Sequence, residues 1–204
     1  MRSAGIAVDL YKQQFDDTPD SLFPNNWIST HFYKGQMKKR LVFSYPMKCE
    51  NRQREFNVKM VQDTMKVKNS EFIDLAGWHY KQKYLEGTGV LIFDTYNEKL
   101  YVNLSPRADK DLLIQYLENF NLYVKNPYKA VTFKAVNDGH PIYHTNVMLG
   151  MLTEHAVVSL ESIKSKKERI EVIKELTAKD INKKPKKLID ISLKEVNEFC
   201  GNVL

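Results

Sequence analysis

The chain has 204 residues, 43% of them apolar and 27% charged, with a net charge of +6. That length fits one large domain or two ordinary ones, and the composition excludes a disordered chain. No apolar run approaches the roughly 20 residues of a membrane span, and two cysteines build no disulfide framework, so a reducing, cytoplasmic setting is expected.

The N-terminal "MRSAGIAVDLYK" interrupts a short apolar run with a charge and does not read as a secretory signal. Within it, "AGIAVDLY" predicts a strand with nothing before it to pair with. In "SLFPNNWISTH" Pro24 supplies a turn, which leaves Asn25 and Asn26 side by side before Trp27. "KKRLVFSYPM" then predicts a strand, "NRQREFNVKMVQDTMKV" one helix and "EFIDL" a second strand. From Thr88 the order is strand "GVLIFDT", strand "KLYVNLS", helix "DKDLLIQYLENF", strand "YKAVTFKAV". The helix carries Leu112, Leu113, Tyr116, Leu117 and Phe120 at helical spacing. After Ile142 the order repeats: "IYHTNVMLGML" and "HAVVSLESI" as strands, "KKERIEVIKELTA" as a helix with Ile170, Ile173 and Leu176 on one side, and "KKLIDI" as a strand. "SLKEVNEFCGNVL" reads as a capped helix. Three ββαβ units result, over about 20–76, 86–137 and 142–192. Their period of roughly 50–60 residues signals a modular α/β architecture. The ends do not look like domain ends, so a piece of a larger fold is expected.

Much of the positive charge lies between Lys164 and Lys187, in "KSKKER" and "NKKPKK". No aromatic residues interleave with these lysines as stacking platforms would, so a solvated helix face and a polar turn are expected rather than a nucleic-acid surface. The five histidines, His31, His79, His140, His144 and His155, show no metal-ligand spacing, and there is no Gly-rich phosphate loop. No metal or cofactor is implied, and no membrane partner.

Four stretches place polar residues where elements end or turn: "PDSLFPNN", "LEGTGVLIF", "LSPRAD" and "PIYHTNVM". In the last, His144 and Asn146 are expected on one face of a strand. Each stretch alone is weak. Their order, Asp/Asn, Glu, Arg, His along successive units, points to a shared pocket if the units repeat around a central axis.

With "YPMKCENRQRE" and "VSLESI", these stretches resemble the guanidino-group-modifying superfamily of dimethylarginine dimethylaminohydrolases, arginine deiminases and amidinotransferases. The closest resemblance is to the citrulline-utilization hydrolase branch. It implies a pentein-type α/β propeller of five ββαβ modules, of which about three lie here as a single incomplete domain over 1–204. It also implies a Cys nucleophile attacking a guanidino or ureido carbon, with His as general acid and base. By motif position, Glu86 and His144 are the implied catalytic pair. Asp20 is the implied carboxylate for substrate nitrogens, and Arg107 the arginine for the substrate α-carboxylate. A second arginine is implied near "NRQRE", where Arg52 is favoured and Arg54 remains the alternative. The family's Cys lies beyond this chain, and neither Cys49 nor Cys200 takes its place, so the chain alone is expected to be inactive.

Where relatives acting on cationic substrates carry acids, this sequence has Asn25, Asn26 and Asn146. A guanidinium offers only donors, whereas a ureido group also presents a carbonyl acceptor that an amide can serve. The amides favour citrulline, hydrolysed to ornithine, over arginine or methylarginine. A non-catalytic amino-acid-binding relative is the remaining reading.

Overall fold

The computed structural model describes residues 2–34, 36–66, 70–179 and 184–203. In the first module, β1 (Ile28–Tyr33) pairs antiparallel with β2 (Gln36–Ser44), and β2 pairs parallel with β3 (Glu71–Asp74). A parallel neighbour needs a crossover. Helices α1 (Glu50–Gln53) and α2 (Val58–Met65) supply it.

The second module opens with a single helical turn, α3 (Gly87–Val90), followed by β4 (Ile92–Asp94) and β5 (Lys99–Asn103). Helix α4 (Lys110–Tyr123) crosses to β6 (Lys129–Phe133). The pairing repeats the first module: β4–β5 antiparallel, β5–β6 parallel. Asp109 caps α4 by accepting from the Leu112 N–H at 2.9 Å. Leu112, Leu113, Tyr116 and Phe120 form its buried stripe.

A short hairpin of β7 (Val136–Asn137) and β8 (His140–Pro141) leads to the third module. There β9 (Leu149–Met151) and β10 (His155–Val158) run antiparallel, and α5 (Lys166–Thr177) returns the chain to β11 (Lys187–Asp190), parallel to β10. Helix α6 (Leu193–Asn197) follows, with Ser192 and Glu195 forming a reciprocal capping box. Among the described residues, no helix is long and apolar enough to cross a membrane.

The modules share their cores. One cluster joins Leu41, Phe43 and Tyr45 of the first module to Leu100, Val102, Leu112 and Tyr116 of the second. Another joins Tyr101, Val131 and Phe133 to Leu149, Ala156, Val172 and Leu176 of the third. Each sheet therefore buries its apolar face against a neighbouring module as well as its own helix.

Several expectations are corrected. "AGIAVDLY" forms no strand among the described residues: Gly5 turns at φ 75°, and Ile6 and Leu10 stay exposed. The single helix expected over 51–67 is broken, because Asn57 takes an extended conformation and its side chain accepts from the Met60 N–H, capping a new helix. The strand expected from Gly89 starts only at Ile92, since Leu91 N–H bonds Gly87 O and closes a helical turn first. On α5, Ile170 is 54% exposed, and Val172 takes a buried position beside Leu176. The basic stretch is not uniformly solvated. Lys186 is 4% exposed, while residues 180–183 lie outside the described residues.

Lys186 is held between the second and third modules. Its Nζ lies 3.2 Å from Asp94 Oδ1 and donates to the carbonyls of Leu152 and Thr153 at 3.1 and 3.0 Å. Asn97 Nδ2 donates to the other Asp94 oxygen at 2.6 Å. His31 lies between the first and second modules. Its Nε2 is 2.8 Å from Ser29 Oγ, and its ring packs against Phe93 and Phe120 with centroids 5.2 and 4.9 Å away. Burial pushes this imidazole down to about 4.

Two stability measurements check these junctions. Asp94→Asn leaves the Lys186 charge buried without its counter-ion and is expected to lower unfolding free energy by about 3–5 kcal/mol in urea titrations, whereas the pair Asp94→Leu with Lys186→Met recovers most of the loss. For His31, the unfolded chain binds a proton below its ordinary value of 6.5, and the folded chain does so only near 4. Stability from this group is complete above 6.5 and falls as pH drops toward 4, by at most about 3 kcal/mol. His31→Phe is expected to flatten that part of the stability–pH curve.

Candidate functional site

The segment carrying Glu86 is laced between two loops. Leu85 N–H donates to Pro46 O at 3.3 Å, Glu86 N–H to Arg107 O at 3.2 Å, and Asp109 N–H to Tyr84 O at 2.8 Å. The Glu86 side chain is fully buried. Its Oε1 accepts from the Lys48 N–H at 3.0 Å, and its Oε2 lies 2.6 Å from His144 Nε2 and 3.2 Å from Arg107 Nη1. Burial by itself pushes this carboxyl up. The hydrogen bonds from His144 and Lys48 and the Arg107 charge together outweigh it and hold the group below the usual glutamate value. Glu86 is thus an ionised carboxylate, and His144 presents Nε2–H to it. The free His144 nitrogen is then Nδ1.

Two further residues aim His144. Thr145 Oγ1 donates to Val90 O at 2.7 Å and accepts from the Asn103 N–H at 2.9 Å. Asn103 Nδ2 donates to Ile142 O at 2.5 Å, and its Oδ1 accepts from the Ala135 N–H at 2.7 Å. The turn of Thr145–Val147 is thereby clamped to α3 and to the end of β5. This replaces the strand expected through His144 and Asn146, and the two residues do not share a strand face. Asn103 and Thr145 were not singled out in the sequence. The signal present in the sequence is an Asn ending β5 directly after the apolar run Leu100, Tyr101 and Val102.

Both glycines of "EGTG" are required by clearance. A Cβ on Gly87 would overlap the carbonyl oxygens of Asn25 and Asn26, and its φ is +43°. A Cβ on Gly89 would overlap Asn26 Nδ2 and stand 3.2 Å from Cε1 and Nδ1 of His144. Asn26 and His144 therefore close on the same point.

The remaining expected residues occupy three situations. Arg107 keeps N–H donors with no hydrogen-bond partner among the described residues, and its guanidinium lies 4.4 Å from the Tyr143 ring centroid. Arg52 is 5% exposed. Its Nε lies 3.0 and 3.1 Å from the two Glu55 oxygens. Its Nη2 donates to Glu55 Oε2 at 2.9 Å and to the carbonyls of Asp20 and Phe23 at 3.3 Å, and its Nη1 to Asn26 Oδ1 at 3.1 Å. Burial pushes the Glu55 carboxyl above its ordinary value, although the Arg52 bonds and charge pull it down. The alternative, Arg54, sits on the surface and pairs with Asp17. The Asp20 side chain is 51% exposed, 4.0 Å from Arg52 Nε. Asn25 Nδ2 donates to Thr88 Oγ1 at 3.1 Å. With Asn146, Asn25 and Thr88 line an open cleft of about 290 Å³ bordered by Gly201, Asn202 and Val203. Cys49 is half-buried and Cys200 exposed, and neither thiol bonds to Glu86 or His144. Among the described residues, no group of three His, Cys, Asp or Glu side chains could hold a metal ion.

Known structures share this fold. The structure resembles an AgrE variant in binary complex with L-arginine, with TM-score 0.67 and 15% identity over 99% of this chain and 26% of that one. It resembles apo ArgZ, an arginine dihydrolase from the ornithine–ammonia cycle in cyanobacteria, with TM-score 0.63 and 14% identity over 93% of this chain and 25% of that one. It also resembles DDAH from Pseudomonas aeruginosa complexed with citrulline, with TM-score 0.56 and 12% identity over 93% of this chain and 60% of that one. The chain thus spans about a quarter of the first two and three fifths of the third. At these identities the likeness establishes the fold, the pentein-type arrangement of ββαβ modules. None of the curated proteins matches the chain. The family model described as "N,N dimethylarginine dimethylhydrolase, eukaryotic" matches residues 1–204. With its whole length matched, the chain belongs to that family, within the guanidino-group-modifying superfamily.

Proposed function

We propose that this chain forms the acid–base and substrate-orienting part of a site that hydrolyses a C–N bond of a ureido or guanidino amino acid, with citrulline preferred. The observation that carries the reading is the buried Glu86–His144 pair, 2.6 Å apart and flanked by Arg107. Glu86 holds His144 with Nδ1 free on the side of Gly89 and Asn26, where that nitrogen can deliver and remove a proton. Arg107 has donors left for the α-carboxylate of an amino-acid substrate. The expected reaction takes citrulline and water to ornithine, ammonia and carbon dioxide. A thiol passes its proton to His144 Nδ1 and attacks the ureido carbon. His144 returns that proton to the departing ammonia nitrogen, and water then frees the thiol and leaves a carbamate that decomposes to ornithine and carbon dioxide. Neither Cys49 nor Cys200 is assigned that role.

A methylarginine or arginine substrate is the second reading. It is favoured by the description of the matching family and by the exposed Asp20 carboxylate, which suits a cation. Against it stand the amides of Asn26 and Asn146, which replace acids.

The choice is tested by assaying L-citrulline, L-arginine and dimethylarginine separately with this chain completed by a superfamily segment that carries the nucleophilic thiol; the chain alone is expected to show no turnover. In the completed form, turnover is expected with citrulline, and His144→Ala and Glu86→Gln are each expected to lower kcat by about 10²–10⁴-fold. Asn26→Asp and Asn146→Asp are expected to move preference toward arginine. Activity on dimethylarginine alone, unmoved by these changes, would sink the citrulline reading.

Gly89→Ala gives a separate check of the geometry. The added methyl is expected to displace the Asn26 amide and crowd His144, abolishing turnover with a stability loss of only about 1–3 kcal/mol. Gly87→Ala, which meets backbone at a positive φ, is expected to cost more stability than Gly89→Ala. Equal thermal melts for the two variants would contradict the clearance argument.

A further inference from the structure

Arg52 stands where the superfamily resemblance implies a grip on the substrate carboxylate, but its donors are occupied within the chain. Nε and Nη2 clasp Glu55 and two backbone carbonyls, and Nη1 reaches Asn26 Oδ1 at 3.1 Å. A guanidinium has donors only. Whatever amide atom faces it must be the oxygen, so the orientation of Asn26 is set by chemistry. The Asn26 Nδ2 group is turned the other way, toward Gly89 and the Cε1–Nδ1 edge of His144. That amide nitrogen has no hydrogen-bond partner among the described residues. Asn26 is 4% exposed, and its N–H donors lie on the Gly89 side, where the position of a Gly89 Cβ is 3.2 Å from His144 Cε1 and Nδ1.

We propose that Arg52 is a positioning residue: clamped by Glu55, it locks Asn26 as a pure N–H donor for the carbonyl oxygen of the substrate. The inference rests on the ureido reading above and gives it a mechanism. A carbonyl oxygen meets a donor at Asn26, and when the carbon is attacked the negative charge developing on that oxygen is stabilised by a group already oriented. A guanidinium would meet donor against donor. Recognition of the α-carboxylate then falls to Arg107.

The test pairs kinetics with a substrate-independent measurement. Arg52→Met removes the clamp. A second variant, Arg52→Met with Glu55→Leu, removes it without leaving the Glu55 charge buried alone. In ¹⁵N-edited spectra of the wild-type protein, cross-relaxation is expected between the Asn26 side-chain amide protons and the His144 ring. Both variants are expected to lose it while keeping their far-UV and near-UV dichroism. In the form completed by the thiol-bearing segment, kcat with citrulline is expected to fall on the order of 100-fold with KM within about twofold. An alkylurea lacking the α-carboxylate is expected to suffer the same factor. A rise in KM confined to citrulline would show Arg52 gripping the carboxylate and overturn the proposal, as would an amide contact that survives both variants. If the wild type instead turns over only guanidino substrates while the amide contact behaves as expected, the ureido reading fails and the Arg52 clamp on Asn26 stands.

Discussion

The site depends on one buried carboxylate. An ionised glutamate with no solvent contact survives only if hydrogen bonds and opposite charge replace its water. For Glu86 those replacements come from separate parts of the chain: the Lys48 N–H beyond β2, Arg107 beyond β5, and His144 before β9. No module could satisfy Glu86 alone. The relative placement of the three modules, fixed by the cores they share, is the same thing as the integrity of the site. The polar groups at the module junctions fit this picture. Lys186 ties the second module to the third, and neutral His31 fills an aromatic niche between the first and second.

Close approach is the second constraint. The turn before β1, the helical turn of α3 and the His144 turn meet so tightly that the two glycines of α3 face backbone or polar side chains without room for a methyl. Thr145 closes the same contact from the other side through Val90 O and Asn103 N–H. A polar group in such a space has few orientations, which is the condition for a preorganised site.

Much of this was legible in the sequence. The ββαβ order could be read because each module repeats alternation, alternation, helical stripe and alternation, as with Leu112, Leu113, Tyr116 and Phe120 on α4. The Glu86, Arg107 and His144 positions could be read as polar residues at element ends. Failures came where a single side chain overrode the local pattern. Asn57 capped a new helix inside a continuous helical periodicity, and the Thr145 hydroxyl bent an apparent strand into a turn. The N-terminal alternation of Ile6, Val8 and Leu10 had the period of a strand, but period alone does not supply a pairing neighbour. Asn103 was invisible because its importance lies in contacts 32 and 39 residues away in sequence.

The paired amides of Asn25 and Asn26 show why residue type alone does not define a site. From sequence they looked like two copies of one feature. In the fold the neighbouring side chains diverge: Asn25 donates to Thr88 and fastens the turn to α3, while Asn26 yields its oxygen to Arg52 and keeps its N–H donors free beside His144. The amide that matters for a carbonyl substrate is the one whose acceptor is already taken. A free asparagine can rotate to suit a donor or an acceptor and discriminates weakly between them. One pinned by an arginine has a fixed polarity, because reversing it would set Arg52 donors against amide N–H groups and leave the oxygen unpaired, which costs roughly 1–3 kcal/mol. On the proposed reading, substrate polarity at this point is set through the Arg52–Glu55 ion pair, which acts by fixing the Asn26 amide.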